Sequence, residues 1–198
     1  IVVALDRNGK PVTTEDLQVA GAMTAWLTTA IKPNLIQTLE GQPVFVHAGP
    51  FANISLGQSS VIADKVALKL SDYHVTESGF GSEIGYEKFW NIKCRRSGLA
   101  PDAVVIVATI RALKRHGGAP APVPGRPMPE DYTKENVGLV EKGCENLLRH
   151  IEIVQKSGVP AVVCLNAFVT DTKEEIAAVR RFCDSAHARF AVSEHWAK

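Results

Sequence analysis

The chain has 198 residues, of which 45% are apolar and 22% charged, a composition typical of a folded protein with one or two domains. Its 22 Lys and Arg against 21 Asp and Glu give a net charge of +1, which argues against nucleic-acid binding, because that function needs a basic excess on one face. No apolar run approaches the roughly 20 residues of a membrane span. The four widely spaced cysteines form no metal-binding motif and favour a reducing, cytoplasmic compartment. We therefore expect no nucleic-acid partner, no membrane association and no metal site.

The two ends of the chain resemble cut points. The sequence begins at Ile1 without an initiator methionine or a targeting pattern, and it stops at Lys198 within what reads as the start of a loop. We expect residues 1–198 to be the middle of a longer protein.

Short apolar runs alternate with helical patterns along the chain. The predicted helices cover residues 17–31, 59–70, 86–95 and 137–154, with another beginning at residue 170, and the predicted strands cover 43–48, 73–76, 103–109, 159–165 and 190–192. This alternation predicts an α/β fold with a mostly parallel, doubly wound sheet and helices on both of its faces.

Two segments stand out in this pattern. The strand at 103–109 is apolar without alternation, which predicts burial on both faces. Residues 119–130 are rich in proline and predict a stiff, extended loop, since proline is excluded from regular helix and central strand.

Ligands of such sheets bind beyond the carboxyl ends of the strands. Arg111 and Lys114 follow the strand at 103–109, where they would hold a phosphate or a carboxylate, or else form a polar turn. Phe168 follows the strand at 159–165, where it is either an aromatic at the ligand edge or a core residue, and Trp196 follows the next strand and returns to the same edge. Two aromatic rings brought together there predict a slot for a flat heterocycle.

A glycine-rich segment precedes the third predicted helix. Ser78–Gly85 contains Gly79 and Gly81 in a GxGxxxG pattern, which departs from the dinucleotide fingerprint because its third glycine comes one residue late. The segment is either an anion-binding loop at a helix N-terminus or an ordinary turn. Arg95, on the basic face of the following helix, is either a phosphate contact or a solvated side chain. No GxxxxGK[ST], HExxH or GxSxG motif occurs in the chain.

The segment Val107–Gly118, VATIRALKRHGG, resembles a signature of the formate–tetrahydrofolate ligase family. Other segments resemble the same family in the same order, so that the resemblance covers the whole chain. They are Gly49–Ile54, Phe80–Gly81, Glu87–Phe89, Ile92–Arg95, Lys142–Leu147 and Asn166–Thr172.

The resemblance implies an ATP-dependent ligase that joins formate to N10 of tetrahydrofolate through formyl phosphate, giving 10-formyltetrahydrofolate, ADP and phosphate. It also implies Mg-ATP as substrate, a monovalent cation (potassium or ammonium) as activator, and a cytoplasmic homotetramer. The implied sheet is of the P-loop NTPase type, but the phosphate loop itself is absent from this chain. We therefore expect the loop to lie upstream and the 198 residues alone to be inactive.

By this resemblance, Phe168 and Trp196 sandwich the pterin ring, and Asn166 and Asp171 contact its polar edges. Five residues become candidates for contacts with phosphate or another anion, and they are Arg111, Lys114, Gly79, Gly81 and Arg95. The proton-transfer residue is not identified. The alternative functions are a non-catalytic folate- or nucleotide-binding α/β module and a purely structural oligomerisation segment.

Overall fold

The computed structural model describes residues 1–48 and 55–195, which form two compact units. The first unit comprises residues 1–48 and 59–77, and the second comprises residues 55–58 and 78–195. The family-like segment at 49–54 and the predicted ligand contact Trp196 lie outside the described residues.

The first unit contains two antiparallel hairpins and two helices. Its elements are β1 (Val2–Leu5), β2 (Pro11–Thr13), α1 (Ala20–Ala30), β3 (Asn34–Gln37), β4 (Pro43–Val46) and α2 (Val61–Leu70). The pairs are β1 with β2 and β3 with β4. The predicted helices at 17–31 and 59–70 are confirmed as α1 and α2, and Ser60 begins α2 by accepting hydrogen bonds from the amides of Ile62 and Ala63.

Two strand predictions fail in this unit. The run at 43–48, expected in a parallel sheet, instead lies in an antiparallel hairpin over Pro43–Val46. The strand predicted at 73–76 is wrong, since Tyr73 and Val75 are 89% and 91% exposed and form no ladder with the described residues. His74 lies 3.0 Å from the Asp64 carboxylate on α2, so a side-chain contact anchors this segment in place of a neighbouring strand. Aromatic and β-branched residues form a strand only where such a neighbour exists.

The second unit contains a three-stranded parallel sheet with helices. Its strands are β5 (Val104–Ala108), β6 (Ala161–Asn166) and β7 (Arg189–Ser193), in the order β5-β6-β7. Its helices are α3 (Arg95–Ser97), α4 (Ile110–Gly117), α5 (Glu130–Thr133), α6 (Val137–Gln155) and α7 (Lys173–Ser185), and two π-helical turns, Gly81–Tyr86 and Phe89–Cys94, precede them. The predicted α/β fold with a parallel sheet is thereby confirmed. None of the described helices is long and apolar enough to span a membrane.

The core of the second unit lies between the sheet and α6. Val163 and Leu165 on β6 are fully buried, as are Ile151 and Val154 on α6. Helices α4 and α6 approach closely at Gly143, where an added Cβ would collide with the main-chain carbonyl of Leu113. Close packing against α6 therefore fixes the position of α4 and of the side chains on it.

Strand β5 departs from its expected burial on both faces. Ile106 packs against the core, but Val105 and Val107 alternate onto the opposite face and are 60% and 68% exposed. The predicted burial of both faces is therefore wrong for β5 within the described residues. A run of valine and isoleucine reports β-propensity as well as burial, and the two cannot be separated in the sequence.

Candidate functional site

The carboxyl ends of the three parallel strands meet at one edge of the sheet, and the loops that follow them meet there too. Thr109 follows β5 and begins α4, because its hydroxyl accepts a hydrogen bond from the Ala112 amide at 3.0 Å. Ala167 follows β6, and its amide donates to the Ser193 carbonyl at the end of β7, at 3.0 Å. Ala108 at the end of β5 pairs with Leu165 on β6, so the start of α4 and the loop after β6 lie side by side.

The loop after β6 is held in a closed turn by Asp171. The Phe168 amide donates to Oδ2 of Asp171 at 2.8 Å, and the Asp171 amide donates to the Phe168 carbonyl at 2.9 Å. Thr172 then begins α7 with a capping box, in which its side chain and that of Glu175 each accept a hydrogen bond from the other's main-chain amide. The main chain on both sides of the Phe168 ring is thus fixed.

The Phe168 ring carries a cation on one face. Cζ of Arg111, in the first turn of α4, lies 4.2 Å from the ring centroid, within the range of a cation–π contact. Both side chains are half-buried. The residue predicted to bind an anion and the residue predicted to bind a flat ring are therefore neighbours.

Four buried polar atoms meet no hydrogen-bond partner within the described part of the chain, and all four belong to this edge. They are Nε of Arg111, Oδ1 of Asn166, Oγ1 of Thr170 and Oδ1 of Asp171. A buried polar atom without a partner is costly, and folded proteins retain few of them. Their restriction to the edge that carries Phe168 marks this edge as the candidate ligand site.

The Asp171 carboxyl is electrostatically unusual. Burial raises its pKa, and the nearby Glu175 carboxylate acts in the same direction, while the hydrogen bond from the Phe168 amide and the charges of Arg111 and Lys114 lower it. The net shift is upward from 3.8. The site therefore holds a carboxyl group that keeps its proton more readily than an exposed aspartate.

A buried ion pair lies beneath the site. Nζ of Lys114 lies 2.6 Å from Oε1 of Glu175, with the two side chains 1% and 0% exposed, and it also donates to the Lys134 carbonyl at 2.7 Å. Burial acts to raise the pKa of Glu175, but the hydrogen bonds from Lys114 and from the amides of Asn136 and Thr172 outweigh it, so that the pKa lies below 4.5. The pair ties α4 to the start of α6 and to the first turn of α7.

Comparisons with known proteins assign the chain to a family. The family model described as formate–tetrahydrofolate ligase matches residues 1–198. The chain belongs to the formate–tetrahydrofolate ligase family. It is 74% identical over its whole length to the formate–tetrahydrofolate ligase of Desulfovibrio desulfuricans, covering 34% of that protein. The corresponding values for the ligase of Desulforapulum autotrophicum are 70% and 34%, and the ligase of Lawsonia intracellularis is 68% identical over 196 residues, 33% of its length. The chain thus spans about a third of the curated ligases that it matches.

The structure brings together Phe168, Asn166, Asp171 and Arg111, as the positions of the strand ends predicted. Lys114 lies nearby but is turned inward, with its ammonium group engaged by Glu175 and by a main-chain carbonyl. This geometry favours a structural role for Lys114 over the predicted anion contact. Trp196 falls outside the described residues, and the predicted pairing of the two aromatic rings stays a prediction.

The glycine-rich segment has different surroundings. The Gly79 amide donates to the Gly57 carbonyl at 2.9 Å, so this donor is already used. A Cβ on Gly81 would lie 2.5 Å from Oε2 of Glu83, which places a carboxylate where the sequence predicts a bound anion. Arg95 is exposed on α3. The anion-binding prediction for these three residues stays a prediction, and the position of Glu83 weighs against it.

Thr170 and Glu175 are the site residues that sequence reasoning missed. Glu175 was recognisable only as the acidic end of a T-x-x-E capping box, Thr172 to Glu175. That motif predicts the start of a helix but not a buried ion pair with Lys114. Thr170 precedes the box, and no spacing signal distinguishes it from an ordinary loop residue.

Proposed function

We propose that the protein containing this chain catalyses the ATP-dependent ligation of formate to tetrahydrofolate, and that the edge around Phe168 binds the pterin ring. The observation that carries the second part is the cluster of unpartnered buried polar atoms beside Phe168, whose main chain is held by Asp171. Membership of the ligase family carries the first part.

The chemistry of formate explains the need for ATP. Formate is a resonance-stabilised anion and a poor electrophile, so a carboxylate oxygen first attacks the γ-phosphorus of ATP and ADP departs. N10 of tetrahydrofolate then attacks the carbonyl carbon of formyl phosphate, phosphate leaves with the broken C–O bond, and N10 loses its proton. The products are 10-formyltetrahydrofolate, ADP and phosphate.

The edge around Phe168 suits the pterin in two ways. The half-buried Phe168 ring offers a flat apolar surface for offset stacking. Oδ1 of Asn166, Oγ1 of Thr170 and Oδ1 of Asp171 are acceptors without partners among the described residues, and the aminopyrimidine edge of a pterin presents N–H donors. A site built to hydrogen-bond such donors discriminates strongly against analogues that lack them.

Further properties of the protein belong to the same proposal. Mg²⁺ enters with ATP as part of the substrate, a monovalent cation assists the reaction, and the active protein is a homotetramer, as the family resemblance implies. A cytoplasmic location agrees with the four free thiols at Cys94, Cys144, Cys164 and Cys183.

The test is steady-state kinetics of the complete protein with Phe168→Ala. We expect formation of 10-formyltetrahydrofolate to require formate, ATP and tetrahydrofolate together. The variant should raise the KM for tetrahydrofolate by about 10-fold, with the KM values for ATP and formate unchanged, because a stacking contact is lost. Unchanged KM values for all three substrates would remove Phe168 from the site. Binding of tetrahydrofolate without any turnover would support a non-catalytic module instead.

A further inference from the structure

We propose that Arg111 is a positioning residue for the pterin: its guanidinium covers one face of Phe168, holds the ring in place and leaves the opposite face for the ligand. The inference rests on the proposed pterin site. It assigns to Arg111 a role different from direct binding of an anion, the role that its position after β5 suggests.

The contact with the ring, and not hydrogen bonding, accounts for where the guanidinium lies. Its Cζ is 4.2 Å from the Phe168 centroid. Nε is buried without a hydrogen-bond partner, and no salt bridge joins Arg111 to any residue that the structure describes. A guanidinium held for its hydrogen bonds would have its donors satisfied. The face of a planar guanidinium can instead be held by its contact with an aromatic ring.

Arg111 lies on a helix whose position is fixed at several points. Thr109, two residues before it, caps α4, and Lys114, three residues after it, is anchored to Glu175 and to the Lys134 carbonyl. Gly143 brings α6 against the main chain of α4. The guanidinium is therefore carried by a helix that is fixed at its start, along its buried face and by an ion pair.

Phe168, in contrast, lies in a loop whose main chain is fixed but whose ring is not. Asp171 holds the Phe168 amide and carbonyl, and neither contact restrains rotation of the ring about its side-chain bonds. Stacking against Arg111 supplies that restraint. A ring already held in its bound orientation costs less conformational freedom when the ligand binds. Since one face is occupied, the pterin is directed to the other.

The experiment compares Arg111→Gln, Arg111→Lys and the control Arg180→Gln in the complete protein. Cζ of Arg180 lies 4.8 Å from the Phe190 centroid, so the control removes the same kind of contact elsewhere in the second unit. The measurements are the Kd for tetrahydrofolate and the KM values for tetrahydrofolate, ATP and formate.

We expect Arg111→Gln to raise the Kd and KM for tetrahydrofolate by about 2- to 30-fold, the range of a cation–π contact, with ATP and formate unaffected. Arg111→Lys, which keeps the charge but loses the planar stack, should show a smaller rise in both constants. Arg180→Gln should leave all four constants unchanged. Adding Arg111→Gln to Phe168→Ala should weaken binding no further, because the ring it positions is gone.

Two results would overturn the inference. A raised KM for ATP or formate with an unchanged tetrahydrofolate KM would show that Arg111 binds an anion directly. Identical tetrahydrofolate binding by Arg111→Gln and Arg180→Gln would show that the stack does not matter. In either case the pterin site is still supported if Phe168→Ala weakens the binding of tetrahydrofolate. If Phe168→Ala binds tetrahydrofolate as tightly as the parent protein, the pterin site itself is wrong. Should Arg111→Gln fail to fold, the lysine variant carries the same test.

Discussion

Removing one partner of the Lys114–Glu175 ion pair should destabilise the protein more than its local contacts suggest. The two groups are 2.6 Å apart and essentially inaccessible to solvent. The amides of Asn136 and Thr172 donate to different oxygens of the Glu175 carboxylate, so the single side-chain oxygen of Glu175→Gln serves only one of them. The substitution also leaves the Lys114 ammonium buried without its counter-charge. Breaking a buried pair from one side costs about 3–5 kcal/mol of unfolding free energy. Lys114→Met leaves the Glu175 carboxylate buried without its counter-charge and should lower the free energy of unfolding by a similar amount.

The double variant separates charge burial from ordinary packing loss. Lys114→Met combined with Glu175→Gln removes both charges of the buried pair, so its cost should fall below the sum of the two single costs by about 1–3 kcal/mol. Urea unfolding followed by far-UV circular dichroism measures all three variants against the parent protein. Strictly additive costs would refute the reasoning, because they would mean that the two groups do not depend on each other.

The Lys114–Glu175 pair should make the folded protein less stable at acid pH. The pKa of Glu175 is lower in the folded protein than its ordinary 4.5, so the folded state favours the ionised form. Its stabilising contribution is complete above pH 4.5 and is lost as the pH falls through the lowered folded pKa. Urea midpoints measured from neutral to acid pH should fall less steeply for Glu175→Gln than for the parent. Equal acid sensitivity of the two proteins would contradict this origin.

Two further predictions concern the helix contact and the site carboxyl. Gly143→Ala should lower the thermal midpoint of unfolding because the added Cβ collides with the main chain of α4. The control Gly138→Ala lies in the same helix, where the added Cβ has no neighbour nearer than 3.7 Å, and it should be neutral or stabilising by up to about 1 kcal/mol. Equal thermal midpoints for the two variants would refute the close approach of the helices. The pKa of Asp171 is raised, so the parent should lose stability as pH rises from 3.8 through the folded pKa, and Asp171→Asn, which keeps an oxygen for the Phe168 amide, should lack that loss. Superimposable profiles of urea midpoint against pH would refute the shift.

The parallel sheet and its ligand edge could be predicted from sequence because they depend on local signals. The apolar runs at β5 and β6 place Arg111 and Phe168 after the carboxyl ends of neighbouring strands, although the residues after β5, expected to form a polar turn, form the helix α4. Adjacent parallel strands then bring the two loops together without further information. The sequence therefore places Arg111 and Phe168, 57 positions apart, at the same edge of the sheet, the first as a candidate anion contact and the second as a candidate stacking surface.

The inward direction of Lys114 could not be predicted with the same security. Its charge suggests an exposed side chain, and the carboxylate that neutralises it is far away in the sequence. A partial signal exists, because Lys114 shares a helical face with Ile110 and Gly117, both of which are buried. The exposed Val105 and Val107 show the complementary error, in which apolar character was taken for burial.

The hairpins of the first unit were missed for a different reason. An Asn8–Gly9 turn joins β1 and β2, and such a pair is a strong hairpin signal. The flanking strands are only four and three residues long, too short to show a clear alternation. In the opposite case, the aromatic and β-branched residues at 73–76 resemble a strand but pair with no strand in the part of the chain that the structure describes.

Crystallography of the complete protein with bound tetrahydrofolate tests the central claim most directly. The account predicts a pterin stacked on the face of Phe168 opposite Arg111, with ring centroids about 4.5–7 Å apart and the aminopyrimidine edge directed to the acceptors of Asn166, Thr170 and Asp171. A pterin bound away from Phe168, with those acceptors uncontacted, would contradict it.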